Sequence, residues 1–234
     1  MTTLIACSHG TSSPEGRAAV RALVDELRRM LPEVRVEQAF VDVEEPTVDE
    51  VVARAAADGP AVVVPLLLST GFHTRVDIAR AVRPFPQVAQ AAPLGPHELL
   101  ALVLASRLAE APLPEAGMRA GDHVVLAAAG SSDPAAAADV EGVLALLREM
   151  LPVPVTVGYA AGASPRIAEA VAAARAAGAE RVIAASYVLA PGHFAGLVAS
   201  AGADASTAPL GPDPRVAAVV VERYRGALAA LHAV

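Results

Sequence analysis

Apolar residues along this chain recur in two alternating patterns, short continuous runs and longer stretches with three- and four-residue spacing. That alternation predicts parallel strands separated by helices. The first run covers residues 4–7 and leads into Ser8-His9-Gly10-Thr11, after which Ser13 is placed to cap a helix with Pro14 at its first position. Ala19, Val20, Leu23, Val24, Leu27, Met30 and Leu31 then share one helical face, with Arg21, Arg28 and Arg29 on the other side. A second strand is expected over 34–43. It ends in the acidic Asp42-Val43-Glu44-Glu45-Pro46, and Thr47 with Glu50 forms a capping box for the next helix. Residues 61–68 are apolar on both alternating faces, as a strand covered by helices should be, although Pro65 withholds one ladder donor. That run delivers Ser69-Thr70-Gly71-Phe72-His73. A short helix through Val76, Ile78, Ala79 and Val82, a brief strand over 88–92 and a helix over 97–111 complete this half.

The second half replays the first. Gly130-Ser131-Ser132-Asp133-Pro134 repeats Gly10-Thr11-Ser12-Ser13-Pro14, and His193 repeats His73, both 120 positions later (130 − 10 and 193 − 73). Ala208-Pro209-Leu210-Gly211-Pro212 repeats Ala92-Pro93-Leu94-Gly95-Pro96 in the same order. The expected fold is therefore α/β, with two related parallel-sheet lobes and a cleft between them. The N-terminal lobe is expected over 1–112, a Pro/Gly-rich linker over 113–122, and a degenerate C-terminal copy over 123–234. Ala129 stands opposite His9, and Ala161 or a neighbour stands opposite Asp42, so the N-terminal copy is expected to carry the complete site.

Composition narrows the chemistry. A hydrophobic content of 54% over 234 residues supports a filled core. No run approaches the roughly 18 uninterrupted apolar residues of a membrane span, and no basic leader precedes the first strand. A soluble, cytoplasmic protein with no membrane partner is expected. The net charge of −7, the dispersed Arg residues and the absence of Trp argue against a nucleic-acid surface. All 18 basic residues are Arg, which excludes a Schiff-base lysine and a lysine-bearing P-loop. The single Cys7 excludes an internal disulfide and cannot alone hold an iron–sulfur cluster or a structural zinc.

His9, Asp42 and His73 each leave a different strand at its C-terminal end, where parallel sheets gather ligand sites. Two neutral imidazoles and a carboxylate suit a divalent first-row metal with open positions, such as iron, cobalt or nickel. The same groups accept protons near neutral pH.

Three segments, Ser8-His9-Gly10-Thr11, Phe40-Val41-Asp42-Val43-Glu44-Glu45-Pro46 and Leu67-Leu68-Ser69-Thr70-Gly71-Phe72-His73-Thr74-Arg75-Val76-Asp77-Ile78, resemble those of the sirohydrochlorin chelatases. These are the class II chelatases of siroheme and cobalamin synthesis, and the resemblance covers the whole chain in their long, two-lobed form. It implies a lyase, a ferrochelatase or cobaltochelatase, that inserts a divalent metal into sirohydrochlorin without ATP. Fe2+ is favoured, with Co2+ close behind and Ni2+ also compatible, and no cofactor is implied beyond that metal substrate. By matching position, His9 and His73 would bind the metal and take pyrrole protons. The family usually has Glu where this chain has Asp42, which leaves Glu44 and Glu45 as alternatives for the acidic group. Sirohydrochlorin is a polycarboxylate, and Arg75 is the candidate to pair with it. Ser12 and Ser13 are further candidates to hold a substrate carboxylate, with plain helix capping as their competing role. His193 would touch the tetrapyrrole from the second lobe or be a vestige. The internal duplication removes the need for a symmetric partner and allows a monomer.

Two rival readings follow from the same residues. One is a non-catalytic metal or tetrapyrrole carrier. The other is a histidine phosphatase, which needs Arg immediately before the histidine, where this chain has Ser8.

Overall fold

The computed structural model describes residues 2–113 and 117–233, in two compact units. In the first, β1 (Thr3–Ser8), β2 (Arg35–Phe40), β3 (Ala61–Pro65) and β4 (Val88–Gln90) form a parallel sheet in the order β2-β1-β3-β4. The central position of β1 follows from its sequence: Leu4, Ile5, Ala6 and Cys7 are fully buried on both faces. Helices α1 (Pro14–Met30), α2 (Val48–Asp58) and α3 (Ala79–Val82) belong to the same unit. Ser13 Oγ accepts from Gly16 N at 3.1 Å to start α1, and Thr47 and Glu50 close the expected capping box on α2. Ile5, Cys7, Val51, Val52, Val63 and Ile78 meet in the core beneath α2.

Pro65 does not disturb the sheet. Leu66 N donates to Cys7 O and Ala91 N to Val63 O, so the N–H that Pro65 lacks would point towards β4, beyond its last residue, Gln90. Strand β2 is shorter than expected: it ends at Phe40, and beyond it Val41 N and Asp42 N still donate to Ser8 O and His9 O but within a loop. The helix after β3 also departs from expectation. It opens with a π-helical turn, His73–Ile78, before continuing as α3.

The second unit repeats this frame. β5 (Asp122–Ala128), β6 (Val155–Tyr159), β7 (Arg181–Tyr187) and β8 (Ala205–Ser206) are parallel in the order β6-β5-β7-β8. They are joined by α5 (Pro134–Met150), α6 (Ile167–Ala176) and α7 (His193–Ala199). The expected linker ends too late. Asp122 is buried as the first residue of β5 and forms a bidentate ion pair with Arg181, at 2.9 and 2.7 Å. Part of that linker, 114–116, lies outside the described residues.

The packing units are cut differently from the repeats. The first unit comprises the described residues up to Leu94 together with those from Pro212 onward, and the second runs from Gly95 to Gly211. Helix α4 (Glu98–Ala109) follows the first sheet in sequence but packs on β7 and α5 of the second unit, where Arg107 Nε donates to Pro209 O. Helix α8 (Pro214–His232) follows the second sheet but packs on β3, β4 and α1 of the first, where Arg223 donates to Pro93 O and Leu94 O. Local periodicity shows that a helix has an apolar face. It does not show which sheet that face covers. Among the described residues no helix is long and apolar enough to cross a membrane.

Candidate functional site

The ends of β1, β2 and β3 meet at one edge of the first sheet, and the backbone there is tightly constrained. Gly10, at φ +92°, lies so close to the next loop that an added Cβ would sit 2.2 Å from Asp42 O. Only glycine fits, and the residue after His9 is thereby locked against Asp42. Glu44 N donates to the same Asp42 oxygen at 2.7 Å, closing a tight three-residue turn with Val43 at its centre. Val43 has φ +64°, the only positive φ at a non-glycine position among the described residues. A β-branched residue held there costs on the order of 1–3 kcal/mol.

The two histidines come together. The rings of His9 and His73 are edge to face with centroids 4.7 Å apart, and both side chains are half-buried. His9 Nδ1 lies 3.2 Å from Gly10 O. His73 Nδ1 lies 2.8 Å from Asp77 Oδ2, one helical turn further on. With a proton on each Nδ1, those oxygens accept it, and each Nε2 keeps a free lone pair. The four-residue spacing places His73 and Asp77 on one side of this helical segment. Its loosened backbone is held by Thr74 Oγ1, which bridges the N–H and C=O of Gly71, and by Gln90 Nε2, which donates to Thr74 O.

Asp42 lies beside His9, its N donating to His9 O at 3.1 Å, and among the described residues no group of three or more His, Cys, Asp or Glu side chains is placed to hold a metal ion. Asp42 Oδ1 instead accepts from Val43 N at 2.8 Å, supporting the strained turn. Position at a strand end fixes where a residue lies, not where its side chain points. Glu44 is also engaged within its own loop: Oε1 accepts from Thr11 N at 2.8 Å, and Oε2 pairs with Arg17 at 3.2 Å. The carboxylate that reaches an imidazole is Asp77, whose signal was its four-residue spacing from His73.

Other candidates fall differently. Arg75 is exposed on the π-helical turn, two residues after His73. Ser12 is exposed in the loop before α1. Ser13 is committed within the chain, since its hydroxyl accepts from Gly16 N and donates to Glu15. Cys7 is fully buried, and burial, with a smaller contribution from Asp77, pushes its thiol up to about 12, so no thiolate is available there as a ligand. Ser8 Oγ is buried without a hydrogen-bond partner among the described residues.

His193 does not occupy the place of His73. Leu94 N donates to Leu67 O as Leu210 N does to Val188 O, and Arg75 N donates to Gly71 O as Gly196 N does to Gly192 O. Both correspondences are 121 positions apart (188 − 67 and 192 − 71), one more than the offset that aligns the histidines. By this register His193 falls opposite Phe72, and Phe194 falls opposite His73. His193 is exposed at the start of α7, its ring centroid 5.4 Å from that of Phe194. The residues at the other matching positions are Ala129 for His9 and Ala161 for Asp42, fixed by the bonds Ala161 N to Ala129 O and Asp42 N to His9 O.

Known proteins resemble this chain in sequence and in fold. The chain is 28% identical over 153 residues to a sirohydrochlorin ferrochelatase of Bacillus subtilis, covering 62% of this chain and 57% of that protein. It is 35% identical over 82 residues to a sirohydrochlorin cobaltochelatase of Methanopyrus kandleri, covering 34% of this chain and 57% of that protein. The aligned part thus spans little more than half the length of these two relatives. The solved structure of SirB from Bacillus subtilis with Fe3+ has the same fold, with a TM-score of 0.79 at 22% identity, covering 99% of this chain and 97% of that one. The CbiX family model matches residues 3–111 and again 123–227. With two successive matches that take in most of its length, the chain belongs to the CbiX family.

Proposed function

We propose that this protein is a chelatase that inserts a divalent metal into sirohydrochlorin without ATP, with Fe2+ the favoured metal and Co2+ second. The observation that carries this reading is the His9–His73 pair, two imidazoles 4.7 Å apart with Asp77 on one of them, in a chain of the CbiX family. Relatives named for iron and for cobalt chelation support it, and the chain has no Lys for a P-loop of the usual kind.

The chemistry matches what such a site can do. A tetrapyrrole accepts a metal only after two pyrrole protons leave. Two neutral imidazoles at one spot provide two lone pairs that hold the metal loosely, accept those protons, or do each in turn. Among the described residues no third ligand stands with the pair, and an open set suits a metal that must be handed on, since a closed set of ligands would retain it. Asp77 keeps the His73 ring oriented and stabilises its imidazolium once a proton arrives. Arg75 is assigned to a peripheral carboxylate of the substrate, where a guanidinium forms paired hydrogen bonds.

The test is to mix the protein with sirohydrochlorin and Fe2+ or Co2+ and follow the change in macrocycle absorbance. Insertion faster than the uncatalysed rate is expected, and it should be lost in His9→Ala and His73→Ala. Tight binding of sirohydrochlorin with no acceleration would instead establish a carrier.

A further inference from the structure

Beside the histidine pair the first unit exposes three large apolar side chains. Val43 is 52% exposed, Phe72 63% and Val76 42%. Val43 belongs to the turn that Gly10 locks next to His9, the Phe72 ring centroid lies 6.0 Å from that of His73, and Val76 follows on the same π-helical turn. Val43 is the most informative of them. In the second unit the same turn is closed by Ala163 N donating to Ala161 O at 2.8 Å, and its central residue is Gly162 at φ +67°. The closing bond and the φ are thus alike in both units, but the surroundings are not: a Cβ on Gly162 would sit 2.9 Å from the backbone carbonyl carbon of Ser131, whereas the first unit holds a strained, exposed valine. Folding does not explain that choice, since glycine fits this turn better and Val43 is not part of the core.

We infer that Val43, Phe72 and Val76 form an apolar rim that supports the carbon face of the tetrapyrrole macrocycle while its centre lies over the two imidazoles. This rests on the chelatase reading above. A metal leaving the histidines must enter the centre of the ring, so the pyrrole faces spread outward over whatever surrounds the pair. Those faces are largely apolar, and the charged carboxylates are carried on the periphery of the ring. Exposed valine and phenylalanine side chains match the faces by the hydrophobic effect. The strained turn fixes Val43 in position before substrate arrives, so no ordering of that segment is required on binding.

The rim is tested by titrating the full-length protein with metal-free sirohydrochlorin, and separately with Co2+ alone. Val43→Gly and Phe72→Ala should each weaken sirohydrochlorin binding by about tenfold, and Val76→Ala by a few-fold. Co2+ affinity should stay within about twofold of wild type in all three, and Val43→Gly should melt no lower than wild type. Phe72→Leu should restore most of the lost affinity. Phe72 and Val76 are surface residues, so their variants test the rim even where Val43→Gly folds poorly. If wild type binds sirohydrochlorin and all three variants bind it equally well, the rim is overturned while the chelatase reading stands. If wild type does not bind sirohydrochlorin at all, both readings fall.

Discussion

The two units share one backbone frame and differ at its rim. In the first, the strand ends carry a buried hydroxyl without a partner at Ser8, a strained valine at Val43 and two half-buried imidazoles in contact. The matching positions of the second unit hold Ala128, Gly162, Ala129 and Phe194, aligned by the same backbone hydrogen bonds. The close approach that demands Gly10 is preserved in the second unit, where a Cβ on Gly130 would sit 1.9 Å from Ala161 O. Gly130 is thus required by the frame, and so is Gly162, where a Cβ would sit 2.9 Å from the backbone carbonyl carbon of Ser131. Ser8 and Val43 carry local costs that Ala128 and Gly162 do not. A cost borne in only one copy of a shared frame points to a role beyond folding.

The largest expected effect tests that asymmetry directly. His73→Ala should lower the rate of metal insertion by about a thousandfold, while His193→Ala should change it by at most about twofold. Equal losses, read from the initial rate of the absorbance change, would break the comparison. Next is a stability difference. The buried Arg181–Asp122 pair belongs to the second unit, and Arg181→Leu leaves Asp122 buried without its partner, at a cost of about 3–5 kcal/mol by chemical denaturation. The Arg181 guanidinium holds the Asp122 carboxyl below the ordinary carboxylate range. Its contribution is therefore complete above the unfolded value of about 3.9, and it fades as pH falls through the lowered folded value. The deficit of Arg181→Leu should shrink over the same window, because acid neutralises the stranded carboxylate.

Smaller effects sharpen the picture of the first unit. Asp77→Ala frees the His73 ring and should reduce insertion about tenfold, with a matching loss of Co2+ affinity in a metal titration. An unchanged metal affinity would show that Asp77 does not act through His73. Ser8→Ala copies Ala128 and removes a buried hydroxyl that lacks a partner, so it should raise stability by about 1 kcal/mol in thermal unfolding.

Much of the fold was legible in the sequence because its determinants are local. The apolar runs at residues 4–7 and 61–65 became the central strands, and Ser13, Thr47 and Glu50 capped the helices as their spacing implied. The histidine pair was also legible, since both residues leave adjacent parallel strands on the same side. Three features were not. Asp42 sits at the expected edge but turns its carboxylate to Val43 N, because a backbone position does not determine a side-chain direction. The π-helical turn after Phe72 gives no periodic signal over six residues. The alignment of His193 with His73 followed residue identity, whereas hydrogen-bond register shows that the two are one position apart.

The exchange of the last helices makes the duplicated chain irreducible. Residues 1–112 contain β3 and β4 but not α8, which covers them, and residues 123–234 contain β7 but not α4. Neither repeat is a self-sufficient module. Severed at the repeat boundary, the polypeptide would give two complementary fragments, each holding the part the other needs. The second copy is thus indispensable to the first, whatever its own strand ends carry.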